Sequence, residues 1–66
     1  MQEYFKVILQ KVSFDQELFE KELNKAISSL MSHELPHFEN WCYQQFGHRY
    51  MKVLQQCFNE YTYQVA

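Results

Sequence analysis

Glycine and proline each occur once in these 66 residues, as Gly47 and Pro36. Hairpins consume glycine, asparagine and aspartate at their turns, so this scarcity argues against many short strands and for a few helices. Long apolar runs are missing too. None exceeds three residues, as in Val7-Ile8-Leu9, whereas a membrane-spanning helix takes about 20. The start, Met1-Gln2-Glu3, has no positive segment ahead of an apolar stretch, so no signal peptide is expected. No block of like charges marks a tail. With net charge −2 and neutral histidines, the chain lacks the basic footprint of a nucleic-acid binder. There is no glycine-rich phosphate loop, no serine-centred elbow and no Cys-x-x-Cys. The two cysteines, Cys42 and Cys57, read as reduced thiols in a cytoplasmic protein.

What is present fits a folded chain: 47% of residues are apolar and 18% aromatic. With no internal repeat or linker, a single α-helical domain over 1–66 is expected.

Apolar spacing predicts the helices. Phe5, Ile8, Leu9 and Val12 stand at i, i+3, i+4 and i+7, one face of a first helix ending near Val12. Ser13-Phe14-Asp15-Gln16 has the form of a capping box, with Ser13 as N-cap and Gln16 reaching back. A second helix follows, from about Phe14 to Met31, with Phe19, Leu23, Ala26, Ile27 and Leu30 as its stripe. Glu17, Lys21 and Lys25, four apart, read as a solvated ladder. Pro36 suits a first helical turn, so a third helix starts near Leu35 or Pro36. Its stripe is Leu35, Phe38, Cys42 and Phe46, with Trp41 on the flank. Gly47 stands where a left-handed C-cap wants a glycine. The expectation is a break there, then a fourth helix over about His48 to Tyr61 facing inward through Tyr50, Val53, Leu54, Cys57 and Tyr61, with Phe58 beside them. The alternative is one long helix through Gly47, because the apolar period barely lapses. Residues 63 to 66 carry no pattern and are expected to fray.

One string looks like chemistry. His33-Glu34-Leu35-Pro36-His37 matches H-E-x-x-H, which in zinc peptidases sets two histidines on one helical face around a metal, with the glutamate as general base. The resemblance covers five residues. Pro36 restricts Leu35 away from helical geometry, so His33 and His37 are not expected one turn apart on one helix. The longer metzincin form needs glycine and histidine where this chain has Asn40 and Tyr43, and Glu60 and His48 are distant ligand candidates without a pattern. The expected role of the string is a helix start in which Ser32 or Glu34 helps cap. No metal, cofactor or catalytic residue is expected.

Cys42 and Cys57 sit mid-stripe among Phe38, Phe46, Val53 and Leu54, which reads as buried, inert thiol. Trp41, Tyr43, Tyr61 and Tyr63 are accompanied by Gln, Asn and Glu rather than by the basic residues of a base-stacking surface, and read as packing.

The fold expected is therefore all-α, a compact bundle of three or four short helices. The function expected is a small non-catalytic protein–protein interaction or self-association module. Phe14, Leu18, Tyr43 and Met51 fall outside the stripes and are its candidate contact residues, with Val7 beside them. A chain this short buries only about 60% of its unfolded surface, so a homo-oligomer, most simply a two-fold dimer, or a complex with another protein is expected. The second reading is a regulatory, helix-turn-helix-like domain around Gly47 with Arg49 and Lys52 on the second helix. The acidic balance weighs against it and no nucleic acid is expected. The third is a metal-dependent activity at His33, Glu34 and His37.

Overall fold

The computed structural model describes the backbone of residues 2–65 and the side chains of residues 2–60. Among these residues there are three helices and no strand: α1 (Gln2–Val12), α2 (Gln16–Ser29) and α3 (Leu35–Val65). The fold is an all-α bundle with α2 packed between α1 and α3.

The helix α1 buries Phe5 and Leu9 and half-buries Ile8 and Val12. Glu3 lies in its first turn and Lys11 in its last, each at the pole of the helix dipole that favours its charge. The corner that follows departs from the expected capping box. Ser13 does not cap α2; its hydroxyl donates to the Gln10 carbonyl at 3.0 Å and so serves the open end of α1. Asp15 is the N-cap, in extended backbone, and its Oδ1 accepts from the amides of Glu17 and Leu18 at 3.0 and 3.2 Å. A carboxylate is the stronger acceptor at the positive end of a helix. Ser13 is the residue within reach of the last carbonyls of α1, so the two side chains divide the corner between them.

The stripe of α2 is buried as its spacing implies: Phe19, Leu23, Ala26 and Ile27, then Leu30 just past the helix end. The ion pair on this helix joins Lys25 to Glu22 at 3.5 Å rather than running through Glu17, Lys21 and Lys25. The helix stops at Ser29, two residues short of Met31. Leu30 is extended but still donates to the Ala26 carbonyl at 2.9 Å. A reciprocal turn then begins α3. Glu34 donates its amide to the Met31 carbonyl at 2.9 Å, and the Glu34 carboxylate accepts from the Met31 amide at 3.1 Å. Pro36 falls in the first turn of α3, where a missing N–H is not needed.

The third helix is continuous through Gly47, which is helical and has no positive φ. The expected break lies three residues later, at Tyr50, whose φ of −121° and ψ of 30° leave helical geometry. The reversal there is large. A straight helix of 31 residues would be about 46 Å long, yet the longest dimension of the molecule is 32 Å. The rings of Phe38 and Phe58 lie 6.5 Å apart, where a straight helix would separate them by about 30 Å. The helix thus folds back as two arms, residues 35–49 and 51–65, and the molecule packs four helical segments. The second arm runs to Val65, past the point where fraying was expected; the side chains of Tyr61 and Tyr63 lie outside the described residues.

Tyr50 holds this reversal. Its buried ring stacks on Phe19 of α2, with centroids 4.4 Å apart and planes 20° from parallel. Its hydroxyl donates to the Ser13 carbonyl in the α1–α2 corner. Phe46 meets Phe19 edge-on at 4.9 Å. One fully buried ring on α2 is therefore the platform for both sides of the turn in α3.

Candidate functional site

The H-E-x-x-H residues are not arranged as a metal cradle. His33 lies in the turn before α3 and His37 in the helix itself, both exposed, so they do not share a helical face. The Glu34 carboxylate is engaged by the Met31 amide. No group of three metal-ligating side chains forms among the described residues.

The thiols are buried and unpaired. Burial pushes the Cys42 thiol up to about 12, with the Glu39 charge adding to the rise and Lys6 opposing it. Burial likewise raises Cys57 to about 11, helped by Glu20 and Glu60. A thiol held protonated in this way is a poor nucleophile near neutral pH.

The candidate contact residues divide. Phe14, Leu18 and Met51 are 71%, 40% and 44% exposed, so folding of the single chain leaves them available. Tyr43 is different. It is half-buried and its ring lies 6.3 Å from Phe58 across the two arms of α3; burial raises its phenol above the usual value, with Glu39 and Cys42 adding to the rise. Tyr43 thus contributes to the intramolecular core. The sequence reading missed Tyr4 and Met31, at 61% and 63% exposure. The signal for Tyr4 was its position three residues before Val7, which is itself half exposed, on the side of α1 away from Phe5 and Leu9.

A second feature lies at the turn of α3. Gln16, His48, Arg49, Tyr50, Met51, Lys52 and Val53 line an open groove of about 330 Å³. Successive residues of a regular helix are about 100° apart, so 49 through 53 share a groove only because the helix is interrupted at Tyr50. Arg49 lies 5.2 Å from the Tyr50 ring centroid. Because the turn is at Tyr50, Arg49 ends the first arm and only Lys52 is on the second, which changes the helix-turn-helix-like arrangement expected around Gly47. The second arm also folds back onto the first through Phe38, Tyr43 and Phe58.

Comparison with protein-family models, with curated proteins and with solved structures returned no match to this chain.

Proposed function

We propose that this protein is a non-catalytic helical module that works by self-association. The observation that carries this reading is the exposure of large apolar side chains in the first part of the chain: Tyr4 and Val7 on α1, Phe14 at the corner and Leu18 in the first turn of α2. An association surface would cover these side chains.

The support is this surface and not a deficit of compactness. The accessible surface is 4621 Å², against about 4,500 Å² for a folded monomer of 8.1 kDa. The radius of gyration is 10.7 Å, against about 10.8 Å for a compact chain of this length. One copy therefore closes its own core, and association adds to a finished fold. No helix among the described residues is long and apolar enough to cross a membrane. A cytoplasmic location belongs to the same reading, supported by two buried, unpaired thiols.

Sedimentation equilibrium from micromolar to millimolar concentration tests the reading. The expected result is a mass that rises toward twice the monomer. A monomer mass throughout would overturn self-association.

A further inference from the structure

We propose that the outward face of α1 is the contact between two copies of this chain, packed antiparallel about a two-fold axis at Val7; the proposal rests on the self-association reading above. The exposed residues of α1 are Glu3, Tyr4, Val7, Gln10 and Lys11, while every other described residue of the helix is buried or half-buried. Their spacing, i, i+1, i+4, i+7 and i+8, makes one stripe along the helix.

That stripe is symmetric about its centre. Glu3 and Lys11 stand four residues either side of Val7, and Tyr4 and Gln10 three residues either side. A two-fold axis perpendicular to the helix at Val7 brings each residue of one copy level with the opposite number of that residue in the other. Glu3 of one copy then faces Lys11 of the other, twice over. Tyr4 faces Gln10, so a phenol meets a carboxamide that can accept or donate a hydrogen bond. Val7 meets its own copy on the axis, with the two tyrosines covering it. An isologous contact must be self-complementary in this sense. Parallel packing would instead set Glu3 against Glu3 and Lys11 against Lys11, so the charges select the antiparallel arrangement.

The two charges are available for this. Among the described residues Glu3 is paired only to Lys6, at 3.3 Å and with the carboxylate side 87% exposed, a contact that water and salt weaken. The Lys6 ammonium also lies 5.4 Å from the Trp41 ring centroid, so it is held toward α3 and leaves room for a second cation at Glu3. Lys11 is exposed and has no carboxylate within 4 Å among the described residues. A helix of 11 residues is about 16 Å long and covers less than the about 800 Å² per partner of a stable complex. The pair is therefore weak, and salt weakens it further.

Sedimentation of charge variants tests the proposal. Glu3→Lys alone, and Lys11→Glu alone, replace both attractions by repulsions and are expected to weaken the dimer about tenfold or more. Glu3→Lys with Lys11→Glu restores opposite charges across the axis and is expected to restore the dimer. The double variant carries the larger helix-dipole penalty, so recovery of the dimer cannot come from recovered helix stability; circular dichroism checks that each variant folds. Val7→Lys puts like charges face to face on the axis and is expected to leave a folded monomer. A dimer unaffected by these changes but broken by Phe14→Ser or Leu18→Ser overturns this contact while leaving self-association intact. A wild-type monomer at all concentrations overturns both.

Discussion

Two corners of this protein are built on different principles. The α2–α3 corner, from Leu30 to Glu34, is closed by its own residues: the Met31 and Glu34 backbones bond each other, and the Glu34 carboxylate takes the Met31 amide. The turn within α3 has no such cap. It is held by a ring stacked on Phe19 and a hydroxyl on Ser13, partners 31 and 37 positions away from Tyr50. A corner of the first kind forms wherever its sequence is placed. One of the second kind forms only when the rest of the fold is there to receive it.

The largest effect should come from removing the receiving surface. Phe19→Ala takes away the fully buried ring under both Phe46 and Tyr50 and should cost about 3–5 kcal/mol, a large part of the stability of so small a chain. Urea unfolding followed by circular dichroism would show it. A cost near that of an exposed substitution would mean that α3 turns without α2.

Next is Tyr50→Phe, which keeps the ring and deletes the hydroxyl. The Ser13 carbonyl loses its donor, and the loss should be about 1–2 kcal/mol. Because Cys42 lies on one arm of α3 and Cys57 on the other, thiol labelling in native buffer should also accelerate. Unchanged labelling would show that the stacked ring alone closes the turn.

The local corner should be less sensitive. Glu34→Ala removes one side-chain acceptor from the Met31 amide, at a cost of about 0.5–1 kcal/mol. If it cost more than Tyr50→Phe, the ranking of the two corners would be reversed.

Gly47→Ala separates the two possible positions of the turn. At a left-handed C-cap the substitution would destabilise. Here Gly47 is helical, and among the described residues a methyl added to it meets only the Met51 Cε at 3.6 Å, an ordinary contact with the end of a flexible chain. The expected result is a rise in stability of up to about 1 kcal/mol, read as a higher midpoint.

A further effect, not from a substitution, is with alkaline pH. Both thiols sit above their ordinary value of 9.0 in the fold, so the unfolded chain releases its thiol protons first. Stability should be level below about pH 8 and should fall as pH rises toward 11 and 12. The fall begins between pH 8 and 9.5, and Cys42→Ala should reduce it by about half, with Cys57 supplying the rest. A rise in stability over this range would contradict the burial of the thiols.

Much of the bundle was legible in the sequence because its signals are local. The stripes Phe5–Leu9, Phe19–Leu23–Ala26–Ile27–Leu30 and Leu35–Phe38–Cys42–Phe46 are all buried, and the helix start at Leu35 follows from a proline that suits a first turn and no interior. The departures have two causes, one local and one tertiary. The capping pattern points Ser13 three residues forward, whereas its hydroxyl takes the open Gln10 carbonyl three residues behind it. The sequence pattern ties the turn in α3 to glycine, the residue that most easily leaves a helix, whereas it occurs at a tyrosine with partners on α2 and in the first corner. Among the candidate contacts, Phe14, Leu18 and Met51 were recognised as off-stripe and are exposed. Tyr43 was also off-stripe, but the fold-back of α3 brings Phe58 to it.

Amino-acid order by itself determined that this chain is helical, which residues face inward and where the first two helices end to within two residues. Helical period, capping and proline geometry act over about four positions. Only the tertiary structure decided where α3 reverses and which apolar residues remain in water. Those outcomes depend on contacts between residues 15 to 37 positions apart, and no local pattern carries that information.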